Sequence, residues 1–323
     1  MKTLLAIMAL LAGFTASAAE EATTKAKKEE IMKEQRENAP VQEDIDSEIT
    51  NAKMRADSGS KSKHSLSAGL GYSGGTLEDV FGKKRPKLSP SAGTPDYTSL
   101  SGSINYRYRL SQQESLTAGV AVGWVAPGHD LNSQEDKENG VEKTQLTDPG
   151  LAYSRSFKAG QVQNSTSLSF TKNTDKQVVE SEKTNFGLGV SHTAIIDVGP
   201  AGLQLGLSAD AGYTNYSSYV PGEDKKTGAA AATPEIEYEV GLFPFVEYAF
   251  NDRYNFRTVF RGTSFYSRRD NHDTFTRSPG TQSMGIGIAA TRDIFLYPNI
   301  QWVWEDTRSE KTNVALSASM NFF

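Results

Sequence analysis

Apolar and polar residues alternate with a period of two along most of this chain. The pattern starts near residue 63, where Leu66, Ala68, Leu70 and Tyr72 alternate with Ser65, Ser67, Gly69 and Gly71. Such a period sends successive side chains to opposite faces of a strand. It recurs in twelve segments: 63–73, 97–110, 115–125, 146–157, 162–172, 183–196, 202–216, 235–250, 254–267, 282–292, 296–305 and 312–323. The fourth is the least regular, with Arg155 sharing a face with Leu151, Tyr153 and Phe157. The connections also alternate. Those at 111–114, 158–161, 197–201, 251–253 and 293–295 are short, and those at 74–96, 126–145, 173–182, 217–234, 268–281 and 306–311 are mostly longer. An even count of alternating strands, with short turns at one end and long loops at the other, predicts an all-β fold: a transmembrane antiparallel up-and-down β-barrel of about 12 strands. In lipid every backbone N–H and C=O must be paired internally, so strands can span only as a closed barrel. A soluble two-sheet sandwich also alternates, but it needs neither an even count nor an aromatic rim.

The first 61 residues follow other rules. Lys2, an 11-residue apolar stretch over 4–14 and Ala16-Ser17-Ala18 form a Sec-type signal peptide, removed near residue 19. Residues 20–61 are charged and free of aromatics. Their composition favours helix over 22–38, ended by Pro40. A second helix is predicted over 41–56, with Ile45, Ile49, Ala52 and Ala56 on one stripe. That stripe is thin, so the segment reads as a solvated periplasmic extension, helical or disordered. A partner-binding helix or a plug inside the barrel is the sharper alternative. The chain thus divides into 1–19, 20–61 and a barrel over 62–323.

Composition narrows the function classes. The chain has 323 residues, 37% of them hydrophobic, and no run of about 18 apolar residues that a spanning helix needs. An aromatic content of 10% argues against disorder throughout. With no cysteine there is no disulfide, thiolate metal site or lipidated Cys. A net charge of −5 argues against nucleic acid as a partner.

From 63 onward the chain resembles bacterial outer-membrane β-barrel proteins of the porin-like class. The resemblance rests on the signal peptide, the dyad repeat and aromatics near strand ends: Tyr72, Trp124, Tyr213, Tyr248, Tyr254, Tyr266, Trp302 and Trp304. It rests also on the terminal Phe322-Phe323, of which only Phe322 is in phase with the apolar face. The resemblance implies a bacterial outer-membrane location. It implies contact with outer-membrane lipids and lipopolysaccharide, and a C-terminal aromatic read by the barrel-assembly machinery.

The lumen face is where function would reside. It carries Arg107, Arg109, Asp210, Glu235, Glu237, Glu239, Glu247, Arg257 and Arg261 among many Ser, Gly, Asn and Gln. A three-residue turn at 251–253 would set Glu247 against Arg257 and Phe243 against Arg261. These charges imply a pore wall that selects small hydrophilic solutes. The runner-up is a non-conducting structural or assembly barrel whose residues 20–60 bind a periplasmic partner. Enzyme chemistry has little support. Of the four histidines, His129 and His272 each precede Asp in loops, and His192 and Ser191 point to opposite faces. The acidic loop 130–142 lacks the ligand spacing of an EF-hand, so no metal or cofactor is implied. The basic run Lys83, Lys84, Arg85 and Lys87 reads as a solubilising loop.

Overall fold

The computed structural model describes residues 45–86, 96–132, 142–175, 179, 183–199, 202–217, 236–268 and 271–322. The signal peptide, the helix expected over 22–38, Glu235, Phe323 and most of the acidic loop lie outside them.

All twelve predicted strands are present. They are β1 (His64–Thr76), β2 (Ser99–Arg109), β3 (Glu114–Val125), β4 (Thr144–Ala159), β5 (Val162–Lys172) and β6 (Thr184–Asp197). Then come β7 (Leu203–Tyr216), β8 (Ile236–Ala249) and β9, which runs as Tyr254–Arg261 and continues as Thr263–Arg268. Next is β10, which runs as Asn271–Arg277 and Thr281–Thr291, followed by β11 (Ile294–Val303) and β12 (Asn313–Phe322). Each pairs antiparallel with its neighbours in chain order, and β12 closes on β1 with Leu66 opposite Phe322 and Tyr72 opposite Leu316. Closure pairs the strands on both sides around the ring, as a bilayer requires, while the Asn271–Arg277 extension pairs with β9 alone.

The two faces separate as the alternation demands. Ile104, Leu116, Leu151, Leu168, Phe170, Leu188, Leu205 and Leu242 stand exposed on the outside. A contiguous apolar surface of that kind suits lipid rather than water. Tyr248 and Tyr254 rim the wall at the short-turn end. Tyr72, Trp124, Tyr213, Trp302 and Trp304 lie toward the long-loop end, where Tyr213 packs 5.2 Å from Tyr238. Aromatic belts at both margins fit the two interfaces of a bilayer. Phe322 also faces outward, 42% exposed.

Tyr266 departs from the expected pattern. Below Gly262, Glu247 pairs with Arg257 and Phe245 with Val259. Above it, Leu242 pairs with Thr263 and Glu239 with Tyr266. One extra residue has entered β9, and such a bulge exchanges the two faces of the strand beyond it. Tyr266 therefore shares the lumen side with Glu239, and Phe265 takes the outer position. The residue at the bulge must be small, because a Cβ on Gly262 would come within 2.1 Å of the Trp304 ring. The connection expected over 268–281 is also shorter than predicted, since Asn271–Arg277 pairs with β9 and lengthens the hairpin.

Candidate functional site

The described part of the extension is not a solvated tail. It packs with the barrel in one compact unit. Residues 45–62 lie across the lumen at the short-turn end as two short helices, α1 (Ile45–Glu48) and α2 (Ala52–Asp57). The predicted stripe is the buried one. Ile45, Ile49 and Met54 pack with the lumen residues Ile195, Phe245 and Val259, while Ala52 and Ala56 pack with Phe295 and Tyr297. Ile49 is fully buried. Each buried aliphatic side chain stabilises the seated position by about 1.5–3 kcal/mol.

One continuous helix is replaced by two because the barrel wall captures the backbone between them. The Gln163 side-chain oxygen accepts the N–H groups of Thr50 at 2.8 Å and Asn51 at 2.9 Å, and its amide donates to Thr50 Oγ1 at 2.8 Å. Asn51 then starts α2, its Oδ1 accepting from the Met54 N–H at 3.0 Å. An Asn at this position satisfies a donor that a helix start leaves open. The other end of the same side chain donates to Gln204 at 2.8 Å and to Glu247 at 2.9 Å. At the far end of α2 the chain turns into β1 at Gly59, whose φ of +88° suits glycine.

Polar contacts hold the segment on every side. On one side Arg292, in the turn after β10, forks onto Asp46 at 3.0 and 3.1 Å, and Lys61 reaches the same carboxylate at 2.8 Å. Burial pushes the Asp46 carboxyl up, but the hydrogen bonds from Arg292 and Lys61 outweigh it and hold the group below its ordinary range. Gln113 donates to Glu48 at 3.0 Å. Arg107 donates to the Asp57 carbonyl at 3.0 Å, and Arg109 to those of Gly59 at 3.2 Å and Ser60 at 3.0 Å. Ser319 and Asn321, on β12, donate to Asp57 and to the Ala56 carbonyl, each at 2.7 Å.

The predicted Glu247–Arg257 pair is present in the expected register. Arg257 donates to one oxygen of Glu247, and Asn255 donates to the other at 2.8 Å. Glu247 is 1% exposed, so every bond to it matters. Arg257 also lies over the Phe245 ring at 4.1 Å, and Arg261 lies over Phe243 at 5.6 Å. Asp210 and Glu239 sit on the lumen face further along, opposite Gly241 and Gly212 respectively. Glu237 shares that face near the long-loop end. Among the predicted charges, Arg107, Arg109, Glu247 and Arg257 touch the plug or its anchor, and Asp210 and Arg261, together with Arg107 and Arg257, line the space beyond it.

That space is a cavity of about 560 Å³ above α2. Much of its wall is hydroxyl-bearing, and neighbouring strands satisfy one another there: Ser154 bonds Ser167 at 3.2 Å and Thr193 bonds Ser208 at 2.9 Å. The functional residues not expected from the sequence are Gln163, Gln204, Arg292 and the inward apolar set Ile195, Phe243, Phe245 and Val259. The apolar set had a signal. Residues 195–196, 243–246 and 259–260 are consecutive apolar positions, where strict alternation demands a polar inward residue.

No protein-family model and no curated protein sequence matches this chain. Among solved structures, it is similar to the COG4313 outer membrane channel from Pseudomonas putida F1, at 11% identity over 82% of this chain and 98% of that one, with a TM-score of 0.49. It is also similar to the NanC porin, at 9% identity over 80% and 100% with a TM-score of 0.40. The KdgM porin matches at 9% identity over 80% and 99%, with a TM-score of 0.39.

Proposed function

We propose that this protein is an outer-membrane channel for small water-soluble solutes, closed at its periplasmic end by its own residues 45–62. The observation that carries the reading is a polar lumen holding an open cavity on one side of a seated segment. A barrel built only as a structural element has no need of that space, and a barrel always open has no need of the segment. Lumen charges would then act in two ways: Asp210, Glu239 and Arg261 bias which solutes pass, while Glu247 and Arg257 hold the closed state. Inward rings of charge and hydrogen-bonding groups set solute preference in pores generally.

Solute release from proteoliposomes tests this. Vesicles carrying the mature chain should retain a trapped small solute, and vesicles carrying a chain that begins at Ser62 should release it. Retention by both, with folded barrels, would refute the channel. Release by both would refute the plug.

A further inference from the structure

The lumen cavity is chemically lopsided, and its asymmetry specifies a ligand class. One wall is the self-bonded serine and threonine surface of β4 to β7. The other is apolar: the half-buried Phe243 ring faces the cavity, and behind it Ile195, Phe245 and Val259 are buried against Met54 of α2. Charge is unequal too. Lys53, Arg107, Arg257 and Arg261 line the cavity against only Asp57 and Asp210. Lys53 is bound to Asp57 at 2.5 Å, and Arg257 to Glu247. Arg261 differs: it is exposed to the lumen, stacked on Phe243, and among the described residues no carboxylate lies within ion-pair distance of it.

We infer that this cavity binds a small amphipathic carboxylate, with its carboxyl on Arg261 and its apolar body against the Phe243 ring. The guanidinium offers a planar fork of donors that matches a carboxylate, and the low-dielectric aromatic surface beneath strengthens the contact. The serine wall selects against polyhydroxylated anions, because its hydroxyls are engaged with one another and a sugar gains little by replacing them. Asp210 opposes a second negative charge, which favours a monoanion. This inference deepens the channel reading by naming its solute class.

Equilibrium binding of labelled benzoate to the full mature protein in lipid nanodiscs tests it, beside gluconate and benzyl alcohol, with empty nanodiscs as the blank. Binding to the closed protein requires no conduction, so a negative result here with conducting truncated channels refutes this inference alone. Benzoate is expected to bind at least about tenfold more tightly than either comparison compound. Arg261→Gln should weaken it by about tenfold and Arg261→Lys by less. Phe243→Ser should weaken benzoate without strengthening gluconate. Each variant is first confirmed as a folded, heat-modifiable barrel. Equal binding of gluconate and benzoate would reduce the site to a positive potential and overturn the inference. So would equal binding of benzyl alcohol, an unchanged Arg261→Gln variant, or no benzoate bound above the blank.

Discussion

Asn51 donates a hydrogen bond of 2.9 Å to Glu247 across 196 residues of sequence, joining the plug to the barrel wall. The same carboxylate receives Asn255 and Arg257. Plug and wall therefore share one buried charge, and seating the plug completes its solvation. Four side chains, none of them remarkable in type, make a lock: Asn51 and Gln163 position the backbone, and Glu247 and Arg257 supply the charge.

Asn51→Ala removes the helix start and two wall contacts at once. A lost cap costs about 0.5–2 kcal/mol, and an unsatisfied buried acceptor about 1–3 kcal/mol. Hydrogen exchange at the α2 amides should accelerate accordingly, while the strand amides stay protected. Unchanged exchange in α2 would show that Asn51 does not hold the plug.

Glu247→Ala leaves the Arg257 guanidinium buried without its partner. Removing one member of a buried pair costs about 3–5 kcal/mol. Replacing both, as Glu247→Gln with Arg257→Met, should cost less than Glu247→Ala alone. Urea unfolding of the two variants compares them directly, and a double variant weaker than the single one contradicts the pairing.

Acid should loosen the plug through Asp46. Its carboxyl is held below the ordinary value of 3.8 when seated. A lowered folded-state value means stability that is fully present above the unfolded pKa and lost as pH falls through the folded one. A spin label near residue 48 should stay immobile at neutral pH and become mobile below about pH 3.8. In Arg292→Gln the carboxyl loses its main partner, so release should begin at higher pH. A label equally immobile at all pH values in both proteins would exclude this latch.

Gly262 is expected to tolerate no side chain while Trp304 covers it. Gly262→Ala should destabilise the barrel by about 1–3 kcal/mol, as overpacking does. Adding Trp304→Ala should relieve part of that loss. Thermal shifts on gels measure both, and an additive double variant would mean that the ring is not the obstacle.

The barrel was legible in the sequence because its physics is local and repeated. Each strand had to alternate, and the three-residue turn at 251–253 was enough to set Glu247 against Arg257. Tyr266 was misassigned because a single inserted residue at Gly262 leaves the composition unchanged while reversing every face beyond it. The plug was only half legible. The stripe Ile45, Ile49, Ala52 and Ala56 was correct as a buried face, but its partners lie on distant strands. Gln163 and Gln204 looked like ordinary lumen residues. The clearer sign was Ile195, Phe243, Phe245 and Val259, apolar side chains facing a lumen that would be wet if nothing covered them.

Single-channel conductance in planar bilayers tests the central claim most directly, comparing the full mature chain with one that begins at Ser62. The account predicts long closed periods for the full chain and steady conductance for the truncated one. Equal steady conductance from both would contradict it, as would a folded truncated barrel that stays silent.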